Sequence, residues 1–185
     1  MELFSAWLSR LEQIKNTAQV ELSALNSSQL NWKPADKKWS IAQCLDHLIV
    51  SNEKYFALLD KLAAGTYSMT FWEKYNPLSG YTGRKMAESL GPKGIKPFVS
   101  PKIFEPGQSV IRNTIVNDFI QHQDKLISKI LLLRDLNTDL LVVTSPVAPL
   151  ITYKLKDCIE ILVGHEERHL LQAKRIMQLG EFPGI

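Results

Sequence analysis

No run of about 18 apolar residues occurs in the 185-residue chain, so no membrane-spanning helix is expected. The start, MELFSAWLSRLEQ, has no basic stretch leading into an apolar core and does not read as a secretory leader. A cytoplasmic location is therefore expected. Charge of one sign is also lacking. The formal net charge is only +3, far from the basic excess of a dedicated nucleic-acid binder, so no nucleic-acid partner is expected. Cysteine is scarce. Cys44 and Cys158 lie far apart within helical patterns and read as buried small hydrophobes in a reducing compartment, not as a disulfide. Internal repeats and low-complexity tracts are absent. The length suits a single domain, 1–185. Alternating strand patterns are missing too, apart from LLVVT, which reads as one brief strand.

What is present is helical periodicity, in a chain whose 45% apolar content is enough for a sizeable core. Phe4, Leu8, Leu11, Ile14, Ala18, Leu22 and Leu25 recur at three- and four-residue spacing and predict a first helix over Glu2 to Leu25. NWKPADKKW reads as a connection, because Pro34 breaks a helix. SIAQ is a capping box: the Ser40 hydroxyl accepts from the Gln43 amide while the Gln43 side chain reaches back, with Trp39 placed for a hydrophobic staple on Cys44. It opens a second helix running to about Ala64, with Gly65 as its stop.

Residues 66–107 change texture, with five prolines and five glycines, and predict a long irregular insertion. Within it Phe71, Trp72, Tyr75 and Tyr81 suggest packing, and a short helix is possible from Arg84 to Leu90. The segment is a candidate pocket wall or lid. Its basic residues, Arg84, Lys85, Lys93, Lys96 and Lys102, read first as solubilising charge, with an anionic substrate as the alternative. A third helix is predicted over Gln108 to Leu133 and a fourth over Tyr153 to Leu179. The expected class is all-α, a four-helix bundle with an insertion between helices 2 and 3.

The fourth helix carries the stripe Cys158, Leu162, His165, His169, Ala173, Ile176, so both imidazoles continue its apolar face. Residues four apart are neighbours on a helix surface, and both rings can point at one spot. Such a pair is either a metal-ligand pair or two satisfied core histidines; spacing alone leaves both open. His47 lies at the margin of the apolar face of the second helix. Should the two helices meet, the three imidazoles make a set suited to zinc, nickel or iron(II), with a coordination position left open. His122, between Phe119 and Leu126, reads as a core histidine. Glu166 and Glu167 read as a solvated face with Arg168, and Glu53 and Gln43 as weak candidates for holding a histidine N–H. No general base stands out, and no catalytic residue is assigned.

KKWSIAQCLDHLIVSNEKYF, followed far downstream by GHEERHLLQAKRI, resembles the DinB-like superfamily, which includes the YfiT-type metal-dependent hydrolases. The resemblance follows the whole helical order and diverges in the middle segment. It implies a four-helix bundle in which His47, His165 and His169 hold a divalent metal, nickel or zinc in the first place, iron or manganese otherwise. Relatives include transferases that use a low-molecular-weight thiol (bacillithiol, mycothiol or glutathione) and a branch of maleylpyruvate isomerases. The resemblance thus implies a small-molecule substrate or thiol partner and a hydrolase or thiol S-transferase activity. Helical bundles of this kind often associate through apolar faces, so a homodimer is expected, with Phe71, Trp72 and Tyr75 as its candidate contact. The competing readings are a metal-binding or stress-response bundle without turnover and a metal-free scaffold in which the histidines lie apart.

Overall fold

A computed structural model of the chain describes residues 2–94, 110–146 and 148–184. Four long helices dominate: α1 (Glu2–Thr17), α3 (Ile41–Ala63), α6 (Ile115–Leu131) and α7 (Leu155–Met177). Shorter helices α2 (Ser27–Asn31), α4 (Phe71–Tyr75) and α5 (Ser79–Leu90) lie between them, with strands β1 (Val142–Ser145) and β2 (Ala148–Lys154). Helices α1 and α3 each pack against both α6 and α7, which closes the long helices around one core. That core includes Trp7, Leu11, Leu45, Leu48, Phe119, Leu126, Ile159 and Leu162. No described helix is long and apolar enough to cross a membrane.

The capping box that opens α3 forms as expected. The Gln43 amide donates to Ser40 Oγ (3.2 Å), and the Ser40 amide donates to Gln43 Oε1 (3.1 Å). Gly65, at φ 66°, ends the helix in the left-handed region that a side chain disfavours. The same box recurs at Asn26 with Gln29 and at Thr70 with Glu73.

Elsewhere the structure corrects the sequence reading. Helix α1 ends at Thr17 and continues as a π-helical turn over Ala18–Leu22, whose wider winding still turns Ala18 and Leu22 into the core. The stretch expected to be irregular holds α4, and the short helix expected from Arg84 to Leu90 is present as the last part of α5, which begins earlier, at Ser79. Gly80 and Gly83 disguised its first turn and a half, and Gly83 is needed because a Cβ there would fall 2.6 Å from the Asp157 Cβ on α7. Helix α6 starts at Ile115, seven residues later than expected. The backbone of Ile111 is held instead by Asn31, which donates to its carbonyl (3.0 Å) and accepts from its amide (2.7 Å). Residues 95–109, with Lys96, Lys102 and the expected start at Gln108, lie outside the described residues.

The class is mostly helical but not all-α. β1 and β2 pair antiparallel, Val143 opposite Tyr153 and Thr144 opposite Thr152. The second strand occupies residues read as connection and helix start, and Tyr153 is fully buried there. The aromatics of the middle segment do not pack inward. Phe71, Trp72 and Tyr75 are 79%, 48% and 67% exposed, because the inner side of α4 carries Glu73, and Tyr81 on α5 is 59% exposed. That carboxylate accepts from the Tyr67 hydroxyl (2.6 Å), the Thr144 hydroxyl (2.7 Å) and the Thr70 amide (2.7 Å).

Candidate metal centre

Packing of α3 against α7 brings His47 beside His165 and His169. His47 Nε2 and His169 Nε2 each lie 3.1 Å from His165 Nε2. Taken as whole residues, His47 and His169 are buried and His165 is partly exposed. Trp39, just before the α3 cap, walls it: its ring stacks on His169 (centroids 5.6 Å apart, 24° between planes) and touches His47 (4.7 Å).

The outer nitrogens fix the rings. Gln172 Oε1 lies 3.1 Å from His169 Nδ1. A carboxamide oxygen only accepts, so Nδ1 carries the proton and Nε2 presents its lone pair to the cluster. Ser51 Oγ lies 3.5 Å from His47 Nδ1. Burial, the other imidazoles and the Arg168 charge hold His165 well below the usual histidine range. Burial, His47 and Arg168 take His169 down to about 3. The neutral rings are in the form that binds metal.

The donor set fits a shared cation. His165 Nε2 carries at most one proton and cannot donate to both neighbours, whereas one cation at about 2.0–2.1 Å from each nitrogen satisfies all three. Three imidazoles without a carboxylate suit zinc, nickel or iron(II) better than calcium or magnesium, which favour oxygen.

Other site residues fall differently from the sequence reading. Glu166 is not on a solvated face; it is 0% exposed, and its Oε1 accepts from the Asn52 amide (2.6 Å) and the Gln123 amide (2.5 Å). Burial pushes its carboxyl up to about 8 against the pull of those two donors. Glu167 binds Arg10 through both oxygens at 2.7 Å, and Arg10 also binds Glu160. Arg168 donates to the Ser89 carbonyl (2.8 Å) near the end of α5. Helix α7 is covered by α1, α3 and α5, so faces that a two-sided helix would leave wet are occupied. The Gly91–Pro92 turn crosses it at Gly164, where a Cβ would lie 3.2 Å from the Gly91 Cα. Glu53 is exposed, and the Gln43 side chain closes the capping box. Ser51, Gln172 and Trp39 were the residues the sequence reading missed around the histidines. The spacing of Ser51 from His47 (four) and of Gln172 from His169 (three) was the available signal for two of them.

Cys44 and Cys158 are buried, and burial takes both thiols up to about 12, so neither supplies a thiolate. His122 lies outside the cluster. It stacks on Phe56 (5.1 Å, 11°), and its Nε2 has no partner among the described residues. A groove of about 320 Å³ runs between α1 and α7, lined by Arg10, Glu167, Leu170 and Lys174, and none of the three clustered histidines lines it.

In the comparison with known families, the model of the DinB superfamily matches residues 10–173. No curated protein and no solved structure matches the chain.

Purified wild-type protein is expected to carry, or take up, close to one divalent ion per chain. His47→Ala, His165→Ala and His169→Ala should each lose it while keeping the wild-type helical circular dichroism. Elemental analysis decides, and wild-type protein that stays metal-free after incubation with nickel, zinc and iron(II) salts would make the histidines packing residues.

Burial and the nearby Lys125 take His122 down to about 4 from its ordinary 6.5. Between these values the unfolded chain binds the extra proton. The stability from keeping His122 neutral is therefore present above pH 6.5 and lost as pH falls towards 4, at most about 3 kcal/mol. Metal-free His122→Phe, which keeps the stack on Phe56, should lose less stability than metal-free wild type across that window in urea titrations. Parallel losses would remove the assignment.

Proposed function

The chain belongs to the DinB superfamily, and we propose that it is a divalent-metal enzyme of the DinB/YfiT four-helix-bundle type. Its reaction is hydrolysis or transfer from a low-molecular-weight thiol. The observation that carries this is the meeting of three imidazole Nε2 atoms, 3.1 Å apart in two pairs. His47, His165 and His169 are the ligands, with nickel or zinc as the first choices. A divalent ion held there supplies Lewis acidity, polarising an electrophile or favouring loss of a proton from a water or thiol ligand.

The chain's own residues do the rest. Gln172 and Ser51 hold the His169 and His47 rings by their Nδ1 atoms. The Trp39 ring covers one side and keeps water from the His47 and His169 faces, which leaves the His165 side for the substrate. All three protein ligands are neutral, so the loaded site is cationic. Arg168 adds to that field, since its charge already bears on His165 and His169. An anionic ligand such as a thiolate or a carboxylate-bearing small molecule is favoured. No described side chain is assigned as general base.

Nickel- or zinc-loaded protein should turn over in a panel pairing bacillithiol, mycothiol or glutathione with electrophiles, or in an ester and amide hydrolysis panel. Chelation should abolish the activity and metal should restore it. Loaded protein that is silent in both panels points to the alternative, a metal-binding or stress-response bundle acting through partners.

The exposed aromatics on α4, Phe71, Trp72 and Tyr75, are the proposed contact of a homodimer. Light scattering should give twice the chain mass, and Phe71→Ser with Trp72→Ser should give the monomer. A monomeric wild type at micromolar concentration removes this part.

A further inference from the structure

Next to His165 along α7 begins a second polar cluster, outside the group of three histidines. Glu166 follows His165 on α7, Asn52 lies five residues beyond His47 on α3, and Gln123 is on α6. All three are 0% exposed. A single oxygen, Glu166 Oε1, accepts from both amides, at 2.6 and 2.5 Å. Yet Asn52 Oδ1, Gln123 Oε1 and Glu166 Oε2 have no partner among the described residues.

As a source of stability this is a poor arrangement. Buried polar atoms without partners cost free energy, and apolar side chains of similar size would serve the core better. What the cluster supplies is direction. Most of the buried side chains around it on α3, α6 and α7 are apolar, and apolar contact restrains direction far less than a hydrogen bond does. The ion pair of Lys129 on α6 with Asp60 on α3 is partly exposed and does not reach α7. Hydrogen bonds weaken steeply with length and angle. A carboxyl clamped from two helices at once allows little sliding or rotation of α7 against α3. The distances that depend on that register are those between His47 on α3 and His165 on α7, next to the clamped residue.

We propose that Glu166 is a positioning residue for the histidine cluster: clamped by Asn52 and Gln123, it sets the α3–α7 register that brings His47 Nε2 to His165 Nε2. Gln123 thereby gives α6, which supplies no ligand, a part in shaping the site. This rests on the three-histidine metal reading above.

The test measures nickel and zinc affinity by competition titration, the absorption spectrum of the cobalt-loaded protein, and unfolding stability. It uses wild type, Glu166→Gln, Glu166→Met, the triple variant Asn52→Leu/Gln123→Met/Glu166→Met, and Leu11→Ala as a core control on α1. Glu166→Gln keeps the accepting oxygen and should bind metal within about threefold of wild type. Glu166→Met and the triple variant should bind roughly 10- to 100-fold more weakly, as is typical for lost outer-sphere support, with an altered cobalt spectrum. The triple variant, having no stranded amides, should recover stability relative to Glu166→Met without recovering affinity. Leu11→Ala should lose stability and keep its affinity.

A triple variant that binds like wild type overturns the proposal, as does a Leu11→Ala variant as weak in metal binding as Glu166→Met. If the methionine variants fail to fold, Glu166→Asp, which withdraws the carboxyl by one methylene, takes their place, and wild-type affinity there overturns it. Wild type that binds no ion removes the metal centre itself, an outcome distinct from unchanged affinity in the variants.

Discussion

The contact between α3 and α7 is the constraint on which the site depends. It sets two imidazoles on one helix against a third on the other, so that His165 Nε2 faces two nitrogens at 3.1 Å with at most one proton to share. Electrostatics asks for a cation at that point. The rest of the fold can be understood as whatever keeps these two helices in register. The capping box fixes where α3 begins, and α1, α5 and α6 press on the pair from the remaining sides.

Helix α7 shows how far burial reaches. It meets α1, α3, α5 and the hairpin, and no single stripe can satisfy so many neighbours. Its carboxylates are distributed accordingly. Glu160 and Glu167 take Arg10 from α1, and Glu166 turns into the core toward α3 and α6. Glycines stand where backbones come closest, Gly164 under the Gly91–Pro92 turn and Gly83 over Asp157. Three consecutive residues, Glu166, Glu167 and Arg168, thus join α7 to four other helices, α3, α6, α1 and α5, though their sequence looks like an ordinary charged surface.

The same inversion occurs on α4, where the charged residue is inside and the aromatics are outside. Glu73 is tolerated there because its oxygens accept from a tyrosine hydroxyl, a threonine hydroxyl and a backbone amide. Polarity alone is therefore a weak guide to burial in this chain. Partner supply decides, and partners come from segments remote in sequence, such as Thr144 for Glu73 and Asn52 for Glu166.

The sequence by itself determined what depends on neighbours along the chain. The periodicity of apolar residues gave the four long helices, Ser40 and Gln43 gave the start of α3, Gly65 gave its end, and the four-residue step gave the shared face of His165 and His169. These are local because capping and helical period act within one or two turns. The place of His47 at the margin of the apolar face of α3 made it a candidate third ligand, and the resemblance of KKWSIAQCLDHL and GHEERHLL to the DinB-like pattern favoured the set of three. Only the tertiary structure decided the rest. It placed His47 Nε2 against His165, drew Trp39 over the cluster, paired β2 with β1, made a helix of a stretch containing Gly80 and Gly83, and buried Glu166. Apart from the β1–β2 pairing, which joins near neighbours in the chain, each of these depends on contacts between residues scores of positions apart, whose energies come from burial and directional hydrogen bonds that no local pattern encodes.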